Sequence, residues 1–158
     1  MITLERLRDA LIYDADTGIF EWREKGNGRV RKQAGFMTGK GYRRVCLDQV
    51  EYAASRLAWF YVHGTFPDGE CDHIDGNRDN NRISNLRDVT HAQNLQNKRV
   101  AQKRSKTGFM GVWKKRSKFA ASIRLDGKQI HLGVFDTPEG AHAAYVAKKR
   151  AIHQFATI

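Results

Sequence analysis

Cys71-Asp-His-Ile-Asp-Gly-Asn77 is the stretch on which the reading of this chain turns. Asp72 stands beside His73, and Asn85 and Asn94 follow at offsets of 12 and 21 from the histidine. A carboxylate next to an imidazole, followed by two carboxamides, is the group set that one-metal phosphodiester cleavage requires. Oxygens hold a divalent cation, and a neutral histidine takes a proton from water. Around the motif, Asp72-His73-Ile74 reads as a short strand. Asp75-Gly76-Asn77 with Asn80-Asn81 reads as a turn-rich loop, using asparagines for left-handed and Asx geometries. Ile83, Leu86 and Val89 anchor the returning chain, and Thr90 is placed to N-cap a helix carrying Asn94 one turn in. That helix is expected to face Asn94 toward Asp72 across a hairpin-plus-helix cup.

The charge of the chain points to a polyanionic partner. The net charge is +11, and it is unevenly spread. Residues 1–70 hold 11 Lys/Arg against 10 Asp/Glu, residues 71–97 hold 3 against 4, and residues 98–158 hold 14 against 3. The excess therefore belongs to the last third. Solubility alone does not require such segregation, whereas a nucleic-acid-binding unit does. A basic tail for ribosome or membrane contact would also be segregated, but this third is patterned to fold.

Composition sets the outer bounds. A chain of 158 residues makes one domain of ordinary size or two small ones. Hydrophobic content of 41% and charged content of 28% are those of a soluble globular protein. No apolar run approaches the roughly 20 residues of a membrane span. The amino terminus, Met1-Ile-Thr-Leu-Glu-Arg-Leu-Arg8, lacks the apolar core of a signal peptide. Cys46 and Cys71 form no Cys-x-x-Cys pair, which fits a reducing cytosol and argues against a structural zinc knuckle; a disulfide between them stays open. The expected location is the cytoplasm.

Along the chain the pattern predicts an α+β fold in parts. Thr3 caps a first helix with Leu4, Leu7, Leu11 and Ile12 on one face. Asp14–Gly18 turns into a strand at Ile19–Trp22, and Lys25–Lys40, with four glycines, reads as a loop. Tyr42–Leu47 and Val50–Tyr52 form a hairpin about Asp48-Gln49. Leu57, Ala58, Tyr61 and Val62 follow a helical period ending at Gly64. After a basic connector, Lys98–Thr107, three strands follow at Met110–Lys114, Phe119–Leu125 and Gln129–Phe135, with Asp126-Gly127 as a hairpin turn. Thr137-Pro-Glu-Gly140 opens a last helix. Its Ala141, Ala144, Tyr145 and Ile152 pack on the sheet, and Lys148, Lys149 and Arg150 face water or phosphate.

The motif around His73 resembles the HNH endonucleases of the phage and homing type, built on the ββα-metal fold. The resemblance extends through Tyr13-Asp-Ala-Asp-Thr-Gly-Ile-Phe-Glu-Trp22 and Arg56-Leu-Ala-Trp59. It implies that Asp72 and Asn94 bind one divalent metal ion, that His73 activates water, and that Asn85 holds the loop and the imidazole. The last motif position is Asn rather than His, and carboxylate and carboxamide oxygens suit Mg²⁺ or Mn²⁺. Ser55 stands where such proteins often have His before Arg-Leu-Ala-Trp. Surrounding cations are expected to keep His73 neutral at pH 7. Arg87, next to Leu86, is a candidate phosphate contact, and His91 is near enough in sequence to touch the site. The family further implies 5′-phosphate and 3′-hydroxyl ends, with one strand cut per site, and a phage-infected host cell as the setting.

The last third resembles the plant-type AP-two (ethylene-response-factor) DNA-binding domain. The likeness is carried by Thr107-Gly-Phe-Met-Gly-Val-Trp113, Ala120-Ala-Ser-Ile-Arg124 and His131-Leu-Gly-Val-Phe-Asp-Thr137 before an Ala-rich helix. Such a domain lays a three-stranded sheet in the major groove. By position, Trp113, Lys115, Arg116, Ser122, Arg124 and His131 would bind DNA, while Val112, Ile123, Leu132 and Val134 would face the helix. Trp113 and Ser122 stand where the plant domains usually have Arg and Glu, so sequence preference does not carry over.

The expected organisation is an α+β unit over residues 1–65 that supports the site, with Arg29, Arg31 and Lys32 placed to touch DNA. An HNH core over 66–98, a basic linker over 99–107 and a DNA-binding domain over 108–158 complete it. The expected partner is double-stranded DNA, with no membrane and no small-molecule cofactor, for a monomer or weak dimer. Two functions compete: a metal-dependent DNA endonuclease, and a DNA-binding regulator that keeps the cup without cutting.

Overall fold

The computed structural model describes residues 2–23, 33–98, 100–101, 105–153 and 155–156. Arg29, Arg31 and Lys32, most of the first half of the Lys25–Lys40 segment, and Arg99 and Gln102–Arg104 of the basic connector lie outside the described residues. The chain is mixed α and β and forms two compact units, Met1–His91 and Ala92–Ile158.

In the first unit, Thr3 caps helix α1 (Leu4–Ala10), its hydroxyl accepting from the Arg6 N–H at 3.1 Å. The helix ends earlier than its apolar period predicts. Leu11 and Ile12 belong instead to strand β1 (Leu11–Asp14), which pairs antiparallel with β2 (Ile19–Trp22). Leu11 satisfies both periods, so burial of its side chain cannot discriminate a continuing helix from a first strand residue. The Asp14 carboxylate accepts from the N–H groups of Asp16 and Thr17 and closes the turn locally.

A three-stranded sheet follows, in the order β3 (Phe36–Met37), β4 (Arg43–Leu47), β5 (Val50–Ala53). β3 is a two-residue edge strand inside the segment expected to be loop. Asp48 and Gln49 join β4 to β5 with φ of 51° and 64°, the paired left-handed geometry of a two-residue hairpin. Helix α2 (Ala54–His63) runs directly out of β5 and stops at Gly64, whose φ of 77° is open to glycine at little cost. Leu7, Leu11, Phe20, Val45, Leu57 and Ala58 are fully buried in the core between these elements. Phe60 belongs to that core, and Trp59 packs against it.

Arg56 on α2 donates to the carbonyls of Pro67 and Gly69 and lies over the Phe66 ring, which fixes the entry to β6 (Glu70–His73). β6 pairs antiparallel with β7 (Leu86–Val89), and the Asp88 carboxylate closes the open end of the hairpin by accepting from the N–H groups of Asp68 and Gly69. A single 3₁₀ turn, Ile83–Asn85, leads into β7. Ile74, expected to extend the strand, is already in the following turn. Helix α3 (His91–Gln96) comes next, directly after Thr90. Cys46 and Cys71 are both free thiols.

The second unit is an antiparallel sheet of β8 (Val112–Lys115), β9 (Lys118–Leu125) and β10 (Lys128–Phe135), with β9 central, packed on helix α4 (Pro138–Ile152). Asp126 and Gly127 make the β9–β10 turn with φ of 48° and 78°. Thr137 caps α4 through an N–H bond from Gly140 at 3.1 Å, with Pro138 in the first turn. Val112, Ala121 and Ala141 are buried between sheet and helix, with Leu132 and Phe135 packed against them. Gly111 lies against the Tyr145 ring so closely that a Cβ there would be 2.1 Å from it.

Two expectations fail in this unit. Val134 is 44% exposed instead of facing the helix. The register slips between His131 and Gly133, so Leu132 enters the core and Val134 turns outward opposite Ala120. Lys149, expected in solvent, is 1% exposed, and its ammonium donates to the Lys98 carbonyl. Its aliphatic stem fits the packed face of α4 while the ammonium reaches a backbone oxygen.

Candidate active site

His73 closes β6 and is 5% exposed; Asp72 beside it is 7% exposed. The chain turns sharply here, with the Ile74 N–H donating to the Asn85 carbonyl and the Gly76 N–H to the His73 carbonyl, both at 2.9 Å. Nε2 of His73 lies 3.0 Å from Oδ1 of Asn81. The Asn81 amide nitrogen donates to the Asp79 carbonyl at 3.1 Å, which turns its oxygen toward the ring. Nε2 is therefore the N–H, and the basic nitrogen of the neutral imidazole is Nδ1. The Tyr42 ring lies beside the imidazole at a centroid distance of 6.2 Å.

Asn81 is 2% exposed and is held from the amino-terminal hairpin. The Tyr13 hydroxyl donates to its carbonyl at 2.7 Å in a buried contact. Burial pushes the Tyr13 phenol up to about 12, so it remains a donor throughout the neutral range. Gly18, with φ of 74°, presses its Cα against the same backbone; a Cβ there would lie 2.3 Å from Arg82 N and 2.5 Å from the Asn81 carbonyl carbon. The β1–β2 hairpin thus fixes Asn81, and Asn81 fixes His73. Neither Asn81 nor Tyr13 stands out in sequence. Asn81 lies in a run of turn-forming asparagines, and nothing in its spacing distinguishes it from Asn77 or Asn80.

Asn85 ties the loop together through its side chain. Its Oδ1 accepts from the Asp75 N–H at 3.0 Å, and its Nδ2 donates to Asp75 Oδ1 at 3.0 Å and to the Asn80 carbonyl at 2.8 Å. It braces the loop, and Asn81 bonds the imidazole. Burial pushes the Asp75 carboxyl up, but hydrogen bonds from Asn80, the Asn77 N–H and Asn85 outweigh this and hold it below the usual carboxylate range. The loop is tied to the three-stranded sheet by a forked Arg43–Asp79 pair at 2.8 and 3.0 Å. Arg78 adds a second tie, donating to the Lys40 carbonyl with its guanidinium over the Tyr42 ring.

Asp72 sits opposite Arg87 in the β6–β7 register. Nε and Nη2 of Arg87 both donate to Asp72 Oδ2, at 2.9 and 2.7 Å. Arg87 therefore meets a carboxylate of its own chain. The Glu70 carboxylate, at the other end of β6, lies 2.6 Å from Nδ1 of His91, and the His91 ring is largely exposed. Asn94 is partly buried on α3, in the second unit.

Among the described residues no group of three or more His, Cys, Asp or Glu side chains could hold a metal ion. The Asp72 carboxylate offers oxygen donors to a cation, and it already holds one, the Arg87 guanidinium, on Oδ2.

In the second unit the sheet face opposite α4 carries Trp113, Lys115, Ser122 and Arg124, by their registry with Ala120, Lys118, His131 and Gln129. Trp113 is 39% exposed and lies 6.3 Å from the His131 ring, and Gln129 donates to the Ser122 hydroxyl at 2.8 Å. Arg116 is exposed in the β8–β9 turn with φ of 56°. The six residues expected to meet DNA thus share one face and its edge. Lys118 on that side is paired with Asp136 at 2.8 Å.

Comparison with known proteins adds a family. No curated protein and no solved structure matches the chain. No helix among the described residues is long and apolar enough to cross a membrane. Residues 52–96, from β5 through α3 and including Asp72, His73, Asn81, Asn85 and Asn94, match the family model described as HNH endonuclease, a match that points to nuclease activity on DNA.

Proposed function

We propose that this chain is a metal-dependent HNH endonuclease of the nicking or homing type that hydrolyses phosphodiester bonds in double-stranded DNA, leaving 5′-phosphate and 3′-hydroxyl ends. The observation that carries the reading is the buried His73 imidazole. It stands next to Asp72, with its tautomer set by Asn81, inside the segment that matches the family. His73 takes a proton from the attacking water at Nδ1, and the Asn81 oxygen stabilises the imidazolium that forms through Nε2–H. Asn85 holds the loop in the shape that keeps His73 turned inward. Asp72 would supply a carboxylate oxygen to one Mg²⁺ or Mn²⁺, with Asn94 the second ligand that the resemblance to the family implies. When bound, such an ion supplies positive charge against the scissile phosphate and the leaving oxygen.

DNA would be held by the outer face of the β8–β9–β10 sheet through Trp113, Lys115, Arg116, Ser122, Arg124 and His131. The cationic excess of this third makes affinity fall steeply with salt. One site cuts one strand, so a nick is the expected product of a monomer. The Asp72–Arg87 pair is the observation that favours the alternative, a DNA-binding regulator that does not cut, because it occupies the metal-binding carboxylate. Incubation with supercoiled plasmid, with and without Mg²⁺, separates the two. Relaxed circles that require the metal support the nuclease; unchanged plasmid together with a gel shift supports the regulator.

A further inference from the structure

We infer that Arg87 is the resident counter-cation of the Asp72 carboxylate, that a divalent ion must displace it, and that DNA phosphate draws it away, so that metal affinity rises when DNA binds. This rests on the reading of Asp72 as a metal ligand. The arrangement is built into the fold and is not a chance surface contact. Asp72 and Arg87 are direct cross-strand partners, and both guanidinium donors converge on one oxygen. The two side chains are 9% and 19% exposed, so solvent screens the pair weakly.

A buried carboxylate without a counter-charge is strongly disfavoured, and before metal arrives Arg87 supplies that charge. Once a divalent ion reaches Asp72, the same guanidinium becomes a like charge beside it. The conflict is relieved only if Arg87 finds another anion. A phosphate oxygen pair matches the guanidinium fork at least as well as a single carboxylate oxygen does. The other carboxylates of this hairpin are engaged: Asp88 accepts the Asp68 and Gly69 N–H groups, and Glu70 is paired with His91. The anion that completes the exchange therefore comes with the substrate. Because coupling is reciprocal, metal also tightens DNA binding by the same factor. An enzyme built this way stays metal-poor until it is on DNA.

The test is Mn²⁺ titration by calorimetry on the full chain in a His73→Ala background, alone and with a mixed-sequence DNA duplex, after subtracting the duplex alone. Without DNA, Arg87→Met is expected to bind Mn²⁺ roughly tenfold more tightly than the parent, toward the low end of ordinary coupling between sites. DNA should tighten Mn²⁺ binding more in the parent than in Arg87→Met, by a further factor of roughly ten, whatever direct attraction between phosphate and ion the two share. Arg87→Lys, which keeps the charge but loses the fork, should fall between them, and it serves as the readout if Arg87→Met does not fold. Arg78→Met, which removes another arginine of the same unit, should leave the DNA-free affinity unchanged; equal tightening there reduces the effect to net charge and overturns the proposal. DNA-free Mn²⁺ affinity in Arg87→Met equal to or weaker than the parent's also overturns it. In that case, loss of binding in Asp72→Asn would still leave the metal site standing, whereas Mn²⁺ binding indifferent to Asp72→Asn would remove the reading beneath it.

Discussion

Alanine placed at Gly18 tests whether the amino-terminal hairpin positions the loop that carries Asn81. Two costs add there. The φ of 74° is left-handed, which disfavours a residue with a Cβ by roughly 1–2 kcal/mol. The new Cβ would also meet Arg82 N at 2.3 Å and the Asn81 carbonyl carbon at 2.5 Å, both backbone atoms that no rotamer change can move aside. Overpacking of that kind typically costs a further ~1–3 kcal/mol, for a total of roughly 2–5 kcal/mol. In a unit of this size each kcal/mol lowers the melting temperature by about 4–8 °C, so the fall should be at least about 8 °C. Two other glycines separate the causes. At Gly41 φ is 80° but nothing lies within 4 Å of an added Cβ, so only the backbone term applies; at Gly39 neither applies. Thermal denaturation followed by calorimetry and circular dichroism should rank Gly39→Ala near wild type, Gly41→Ala lower, and Gly18→Ala lowest by a clear margin. If Gly18→Ala melts no lower than Gly41→Ala, the close approach of the hairpin to Asn81 is not a constraint and the positioning argument fails.

Asn81→Ala should lower the plasmid-nicking rate by about 10–100-fold, as loss of an orienting partner commonly does, while Asp72-dependent Mn²⁺ binding stays within a small factor of wild type. A variant that nicks at the wild-type rate would show that His73 needs no such brace. The two cysteines should differ sharply toward iodoacetamide at pH 8. Cys46 is exposed, whereas burial pushes the Cys71 thiol up to about 11, leaving about a thousandth of it as thiolate. Mass spectrometry of the modified peptides should find Cys46 labelled first, and equal rates would contradict the burial of β6.

The local signals in the sequence were strong wherever one residue type is chemically forced. Asp48-Gln49, Gly64, Asp126-Gly127 and Thr137-Pro138 each fall where the chain turns, caps or begins a helix. The α+β class follows from them. Signals failed where two periods overlap or where a tertiary partner decides. Leu11 fits both a helix and a strand, and the short edge strand Phe36–Met37 exists only because β4 pairs with it. Val134 obeys strict alternation until a bulge that no residue type announces. Within the candidate site, Asp72 and His73 were legible because adjacency of an acid and an imidazole has a chemical meaning. Asn81 was not, because its role comes from Tyr13 and Gly18, more than 60 residues earlier. Arg87 was singled out for its charge, and its partner is set by strand register, which spacing alone does not give.

The most direct test of the central claim compares wild type with His73→Ala on supercoiled plasmid in Mg²⁺, with DNA binding measured in parallel by gel shift. The account predicts metal-dependent nicking by wild type, and binding without nicking by His73→Ala. Nicking retained by His73→Ala, or none by wild type that binds DNA and metal, would contradict it.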